Sequence, residues 1–233
     1  MSLNTLILLP AYNESRGIGK VIAGIREALP DVLIVVVDDG STDDTALKAH
    51  DAGATVVRLP FNMGYGVALQ TGYKYAQARG VEYLVQMDSD GQHDAAGVAV
   101  LLERVTSGRC DLCIGSRFLA GNSYRIPLVR RLGMILFRRV ASMVLHQTIT
   151  DPTSGFQAMN RPVIAFYCRD SYPVDYPDTN VLLASKRKGF RLEEAAVLMY
   201  ASEGGNTIHK GLRPLYYIFK MSLDIPLNLL RKE

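Results

Sequence analysis

Two aspartates near the middle of the chain have the type and spacing to hold a divalent metal ion. Asp88 and Asp90 stand in the stretch MDSDGQHD, after an apolar run typical of a buried strand. In an extended chain both side chains project to the same face. Carboxylates that close together repel each other unless a cation neutralises them. Paired oxygen ligands suit Mg²⁺ or Mn²⁺ carrying phosphate oxygens, so the pair predicts a metal-bound diphosphate.

The surrounding pattern favours this metal site over a pair of solvated loop carboxylates, the common explanation of an isolated Asp-x-Asp. Short runs rich in Val, Ile and Leu alternate with amphipathic stretches. The runs are TLILLP, VLIVVVDD, ATVVRL, EYLVQMD and CDLCIGS, and the predicted helices between them cover 15–29, 42–52, 65–79 and 94–107. This alternation predicts an α/β fold with a mostly parallel sheet covered on both faces.

Ligands of such sheets bind beyond the carboxyl ends of the strands. A polar cluster follows each predicted strand: PAYNE, DDGSTDDT, PFNMGYG, MDSDGQHD and GSRF. All five are therefore expected at one rim. Asp39 is a candidate acceptor of hydrogen bonds from a nucleobase, and Ser41 or Thr42 is expected to cap a helix. Gly64 either lets the backbone approach a ligand or begins a helix, since FNMGYG matches neither common nucleotide fingerprint.

Composition limits the class of protein. The 233 residues are 48% apolar and 21% charged, with a formal net charge of +3, which indicates one ordinary globular domain and no nucleic-acid partner. Cys110 and Cys113 lie three apart in a predicted strand, so alternation places them on opposite faces, and reduced thiols are expected. No signal peptide or membrane-spanning run is recognised, and a cytoplasmic location is expected.

Two basic amphipathic segments follow residue 120. Residues 125–145 are predicted to form a helix with an apolar stripe and arginines on and beside the opposite face, namely Arg130, Arg131, Arg138 and Arg139. The tail, 211–233, predicts another such helix that Pro226 kinks or ends. Each helix packs on its own domain, on a partner, or on a membrane surface. The expected organisation is a catalytic domain over 1–210 and an amphipathic helix over 211–233.

Taken in order, PAYNE, VVDDGSTDDT, NMGYGVALQTG, MDSDGQHD, GSRF and DPTSGF resemble the inverting glycosyltransferase family 2, with its Rossmann-like GT-A fold. The likeness covers roughly residues 5 to 210, and the combination is specific although each piece alone is weak. GQHD, GSRF and DPTSGF are similar to the polyprenyl-phosphate, dolichol-phosphate mannosyltransferase-like branch. The resemblance implies transfer of a hexose or N-acetylhexosamine from a UDP- or GDP-sugar to a polyprenyl phosphate, for cell-surface glycan synthesis, with Mg²⁺ or Mn²⁺ as cofactor.

The resemblance also implies roles for single residues. Asp88 and Asp90 would hold the metal ion at the diphosphate. Residues expected to bind the donor nucleotide are Pro10, Tyr12, Glu14, Asp39, Gly64, Asp88, Ser89 and Gln92. Candidate catalytic residues are Asp90, Arg117, Asp151 and Asp178. Arg117 would face phosphate, and Asp151, with Ser154 and Gly155, would lie beside the sugar and the acceptor.

The acceptor decides the role of Asp178 in YPDTN. A lipid phosphate is already anionic near neutral pH, because its second pKa is about 6, and it needs no base. The alternative function is a soluble transferase acting on a sugar hydroxyl of a polysaccharide or glycolipid, with Asp178 as the base. Asp178 is otherwise the cap of a helix over 179–188. A nucleotidyltransferase, for which PAYNESRG is a poor phosphate loop, and an inactive binding module are the remaining classes.

Expected partners follow from the first hypothesis. They are the nucleotide sugar, the polyprenyl phosphate or glycan acceptor and the membrane surface, with a separate integral membrane protein as another place for the tail to dock. The expected location is the inner face of the plasma membrane, with the protein bound peripherally through its basic helices.

Overall fold

The computed structural model describes residues 4–119, 142, 147–174, 177 and 179–200. The predicted helix over 125–145, apart from Ser142, lies outside these residues, as do the tail over 211–233 and Asp178. The strands within the described part are β1 Thr5–Ala11, β2 Leu33–Asp38, β3 Thr55–Arg58, β4 Tyr83–Gln86, β5 Leu112–Ser116, β6 Gln157–Asn160 and β7 Leu192–Ala196. The helices there are α1 Ile18–Ala28, α2 Thr45–Asp51, α3 Tyr65–Ala78, α4 Ala96–Thr106, α5 Arg161–Tyr167 and α6 Thr179–Arg187.

All seven strands form one sheet in the order β3-β2-β1-β4-β6-β5-β7. Only β6 runs against the others, because it pairs antiparallel with both β4 and β5 while the remaining pairs are parallel. The predicted α/β class with a mostly parallel sheet is confirmed. The five predicted strands and four predicted helices are all present, with ends that differ by up to three residues.

Helices cover both faces of the sheet, which explains why β1 and β2 are apolar at nearly every position. In β2, Ile34 and Val36 point into a core formed with α1, α2 and α4. Val35 and Val37 point into the opposite core, formed with α3, α5 and α6. None of the four side chains is exposed to solvent. No helix in the described ranges is long and apolar enough to cross a membrane.

The prediction that Cys110 and Cys113 point to opposite faces is wrong. Both side chains are buried in the same core. Cys110 precedes the first residue of β5, so strand alternation does not relate the two positions. Both are free thiols, as is Cys168.

The amino-terminal turn of α3 packs directly against another stretch of backbone. A Cβ atom added at Gly66 would lie 2.5 Å from the carbonyl oxygen of Pro173 and closer still to that of Val174. Only glycine permits this approach, since real Cβ atoms do not come that close to backbone oxygen. The contact holds Tyr65, the first residue of α3, at the rim of the sheet.

Gly66→Ala is expected to lower the free energy of unfolding by about 1–3 kcal/mol, the usual cost of forcing extra volume into a packed contact. Gly19→Ala is the matched control, because Gly19 is also the second residue of its helix but has nothing within 4 Å of an added Cβ. That change should be neutral or stabilise by up to about 1 kcal/mol through helix propensity. Urea denaturation measures both. Equal effects in the two variants would contradict the close packing at Gly66.

Candidate active site

The loops after β1 and β2 are joined by hydrogen bonds at the rim. Asn13 has a left-handed backbone with φ of 56°, which asparagine tolerates better than most residues. Its backbone N–H donates to Ser41 Oγ at 2.9 Å, and its Oδ1 accepts from the N–H of Thr42 at 2.9 Å. The expectation that Ser41 or Thr42 caps a helix is wrong. Helix α2 begins at Thr45, whose N–H donates to Asp43 Oδ1 at 3.0 Å.

The two aspartates at the carboxyl end of the Val-rich strand β2 have separate structural roles. Asp38 is fully buried, and its Oδ2 lies 3.2 Å from the Arg58 guanidinium Nε. Asp39 accepts the backbone N–H of Met63 at 2.7 Å on one oxygen and that of Gly64 at 2.9 Å on the other. Burial raises the pKa of Asp39, and these two hydrogen bonds oppose that change. Asp39 therefore fixes the loop that enters α3, and a contact with a nucleobase, through its remaining lone pairs, stays a prediction.

A cleft of about 570 Å³ opens beside this loop, where β1, β2 and β3 end. Tyr12 and Phe61 line it and expose 43% and 63% of their surfaces, and Arg58 lies on its wall. Gly40, at φ 67°, leaves no room for a side chain, since an added Cβ would lie 2.6 Å from the Phe61 Cα. Aromatic faces and a guanidinium in a cleft of this volume can hold a flat heterocycle.

Asp88 is held by a donor on each of its carboxylate oxygens. The Tyr65 hydroxyl donates to Oδ1 at 2.9 Å, and His93 Nε2 donates to Oδ2 at 3.2 Å, because a carboxylate can only accept. Burial raises the pKa of Asp88, but His93, Tyr65 and the charge of Arg117 together bring it below its ordinary value. An added Cβ at Gly155 would come within 3.1 Å of both oxygens. Asp88 is thus ionised and closely enclosed, with about a third of its side chain still exposed.

Asp90 carries a charge that its surroundings do not balance. Its Oδ1 accepts the backbone N–H of Gln92 at 3.0 Å, and its Oδ2 accepts from the Gln92 amide. Burial and the charge of Asp88 nevertheless raise the pKa of Asp90. The pKa of Glu14 is raised as well, by burial and then by Asp90, Asp43 and Asp88. The rim therefore holds more negative charge than its own donors neutralise.

This excess of carboxylate charge fits a divalent cation bound by Asp88 and Asp90. Strand β4 ends at Gln86, so both aspartates lie in the following loop and not in the strand as predicted. Within the described residues, no three acidic, histidine or cysteine side chains are grouped as metal ligands. Two protein carboxylates leave coordination positions for phosphate oxygens and water, as is usual for Mg²⁺ bound with a nucleotide.

Arg117 is held by Asp151 close to this group. Its Nε donates to Asp151 Oδ2 at 2.6 Å, and Asp151 is fully buried. The backbone N–H of Asp151 donates to Glu194 on β7 at 2.8 Å, which anchors the DPTSGF loop to the sheet. The arginine predicted to face phosphate thus has a carboxylate partner, and 16% of its side chain remains exposed.

The other residues predicted from the sequence lie in the same loops. Ser89 is buried, and its hydroxyl donates to the carbonyl oxygen of Pro10 at 2.8 Å. The backbone carbonyl oxygen of Gln92 accepts a hydrogen bond from the backbone N–H of Tyr200 at 2.7 Å. Ser154 is buried just before β6, and its carbonyl oxygen accepts from the Gln157 amide at 3.0 Å. The predicted convergence of the five polar clusters is therefore seen in the structure, with Asp178 outside the described residues.

Two contacts of Asp88 were not predicted as site residues. His93 stands five positions after Asp88 in MDSDGQHD, so its nearness in sequence was an available signal. Tyr65 is 23 residues away, and only the packing of α3 against the sheet brings its hydroxyl to Asp88. No sequence pattern marks that contact.

Comparison with known proteins adds an independent line of information. The family model described as glycosyl transferase family 2 matches residues 6–167. A polyprenol monophosphomannose synthase of Mycolicibacterium smegmatis is 34% identical over 167 residues, covering 69% of this chain and 63% of the relative. An undecaprenyl-phosphate mannosyltransferase of Micrococcus luteus is 31% identical, with 67% and 66% covered. This chain therefore spans less than two thirds of either relative.

Solved structures agree on the fold. Glucosyl-3-phosphoglycerate synthase from Mycobacterium tuberculosis, in complex with Mn²⁺, uridine diphosphate and phosphoglyceric acid, superposes with a TM-score of 0.71 at 19% identity. The comparison covers 100% of this chain and 80% of the synthase. The predicted GT-A fold is confirmed.

The charge balance at the rim predicts the effect of removing one carboxylate. With EDTA present at pH 7, Asp90→Asn should raise the thermal unfolding midpoint by about 2–4 °C, the shift that roughly 1 kcal/mol produces in a chain of this size. The gain should fade as the pH falls through the raised pKa of Asp90, because the wild-type carboxyl is then also neutral.

Asp111→Asn is the control with the opposite sign. Arg191 lowers the pKa of Asp111 by hydrogen bonds and charge, so this carboxylate stabilises the fold above its ordinary pKa and loses that effect as the pH falls through the lowered value. The variant should therefore unfold at a lower temperature at pH 7. Destabilisation by both substitutions would refute the excess of negative charge at Asp90.

Proposed function

Because the chain belongs to glycosyl transferase family 2, we propose that it transfers a sugar from a UDP- or GDP-sugar to a polyprenyl phosphate, with inversion at the anomeric carbon. The observation that carries this proposal is the pair Asp88 and Asp90. One is kept ionised by two donors, and the other carries charge that its own donors do not balance. A group of carboxylates in excess suits a substrate that arrives with a divalent cation.

On the donor side, the cleft between Tyr12 and Phe61 would take the nucleobase, and the sugar diphosphate would extend towards Asp88 and Asp90. Mg²⁺ or Mn²⁺ bound there would neutralise charge on the leaving diphosphate. Tyr65 and His93 would keep Asp88 ionised and in one orientation throughout the reaction. The remaining donor contacts proposed are those of Pro10, Glu14, Asp39, Gly64, Ser89 and Gln92.

Arg117 would supply the second positive charge on the phosphate side. Its guanidinium has five N–H groups and gives one of them to the buried Asp151, which leaves others for a phosphate oxygen. Asp151 would thus position Arg117 and would not act on the sugar itself. A fixed arginine stabilises developing negative charge without reorganising at the moment of reaction.

On the acceptor side, the named relatives favour a lipid phosphate. The relatives from Mycolicibacterium smegmatis and Micrococcus luteus carry polyprenol and undecaprenyl phosphate in their names. A phosphate monoester is largely dianionic above its second pKa of about 6, so it can attack without a general base. The basic amphipathic patterns over 125–145 and 211–233 support peripheral binding at the inner face of the plasma membrane.

Calorimetric titration with UDP, GDP, CDP and ADP, each with Mn²⁺ and with EDTA, tests the donor site. One diphosphate should bind in Mn²⁺ and lose most of its affinity in EDTA. Asp90→Asn should abolish the Mn²⁺-dependent part. Asp94→Asn is the matched control, since this neighbouring carboxylate bonds only Ala96 N–H and the Tyr200 hydroxyl among the contacts described. Failure of every diphosphate to bind the wild type would refute the proposal.

Asp178→Asn separates the two acceptor chemistries. With polyprenyl phosphate in anionic vesicles, turnover should stay near the wild-type value, because no proton has to be removed from the acceptor. A hydroxyl acceptor would instead lose about 10²–10⁴-fold, the usual contribution of a general base. Release of radiolabelled nucleotide measures turnover. A dead variant that still binds the diphosphate would favour the polysaccharide or glycolipid acceptor.

A further inference from the structure

Gln86, the last residue of β4, lies directly beneath the carboxylates of the rim. It is 3% exposed, so its amide has to find partners within the protein. Its Oε1 accepts a hydrogen bond from the hydroxyl of Tyr73, and its Nε2 donates to the hydroxyl of Tyr65 at 3.3 Å. Both tyrosines belong to α3. The amide thus connects two side chains of one helix through the end of the neighbouring strand.

The direction of each hydrogen bond in this chain follows from the carboxylate at its end. A carboxylate accepts only, so the single proton of the Tyr65 hydroxyl points to Asp88 Oδ1, 2.9 Å away. The Tyr65 oxygen accepts the hydrogen bond from Gln86, which therefore presents its NH₂ group there. Its carbonyl oxygen consequently faces Tyr73, which donates. An amide at position 86 can satisfy both tyrosines only in this orientation.

Asp88 is held equally firmly on its second oxygen. His93 donates to Oδ2, and its ring packs on Phe156 with the ring centres 4.8 Å apart. His93 is 9% exposed and Phe156 is fully buried, so the imidazole has little freedom to turn. Gly155 lies on the third side, where an added Cβ would come within 3.1 Å of both carboxylate oxygens. Tyr65 is the donor that the described residues provide to Oδ1.

We propose that Tyr65 is a positioning residue for divalent-metal binding by Asp88, and that Gln86 acts on the metal only through Tyr65. This inference rests on the proposed function in one respect, the assignment of Asp88 as a metal ligand. The neutral amide of Gln86 fixes the direction of the Tyr65 hydroxyl, and this hydroxyl fixes the orientation of the Asp88 carboxylate. Second partners of this kind contribute to metal affinity by orienting the ligands that touch the ion.

The test is titration of the purified full chain with Mn²⁺ alone, followed by electron paramagnetic resonance of the free ion. Tyr65→Phe removes only the hydroxyl and should weaken Mn²⁺ binding by about 10- to 100-fold. Gln86→Met keeps the length of the side chain, removes the amide and should weaken binding less. In the double variant, Gln86→Met should add nothing to Tyr65→Phe, since its effect passes through the missing hydroxyl.

Tyr75→Phe is the matched control, because it removes a hydroxyl from the same helix and its ring lies against Arg79, 5.2 Å away. It should bind Mn²⁺ like the wild type. Thermal unfolding in EDTA identifies any variant that fails to fold, and binding is compared below the lowest midpoint.

Three results would overturn the inference, and they are distinguishable. Wild-type affinity in Tyr65→Phe refutes the positioning role while leaving the proposed function intact. A further loss on adding Gln86→Met to Tyr65→Phe shows that Gln86 shapes the rim independently of Tyr65. Absence of Mn²⁺ binding in the wild type, both alone and with each of the four nucleoside diphosphates, refutes the metal site of the proposed function, and this inference with it.

Discussion

Repulsion between carboxylates at the end of a buried strand is the constraint on which the rest of the site depends. Asp88 and Asp90 are two residues apart, and each raises the free energy of ionising the other. Keeping Asp88 charged in a partly buried position requires donors on both oxygens, and the structure supplies Tyr65 and His93. Those donors come from α3 and from the loop itself, so the packing of the helix and the ionisation of the aspartate are physically linked.

Aspartates at this rim look alike in sequence and differ sharply in their surroundings. The carboxylate of Asp39 accepts hydrogen bonds from backbone N–H groups, and that of Asp151 accepts one from Arg117. These bonds join one loop to the next. Asp90 and Glu14 have raised pKa values because both are partly buried and because neighbouring carboxylates add to that effect. The bonds of Asp39 and Asp151 connect loops of the rim, whereas Asp90 and Glu14 lie where neighbouring carboxylates add to the cost of ionisation. Only the three-dimensional arrangement of donors separates the two pairs.

Sequence patterns were informative where a single cause dominates. Strands β1 to β5 were predictable because strands that pack against helices on both faces carry runs of apolar residues. Strands β6 and β7 were missed, since QAMN and LEEAA are short and partly polar, and their pairing is decided by partners far along the chain. The same reason explains Tyr65. Its hydroxyl reaches Asp88 because α3 packs near the end of β4, and the sequence of neither segment predicts that contact.

Strand β6, the one antiparallel strand among those described, explains how DPTSGF reaches Asp88 from so far along the chain. Strand β6 lies between β4 and β5, and its first residue, Gln157, pairs with Gln86 at the carboxyl end of β4. Because β6 runs in the opposite direction, the loop before it lies at the rim where the parallel strands end, which places Gly155 against Asp88. A parallel strand in that position would have put the loop at the far edge of the sheet. Phe156 then occupies space left by the absent side chains of Gly97 and Gly115, and its ring supports His93. One reversal of strand direction thus places Gly155 against Asp88 and Phe156 against His93.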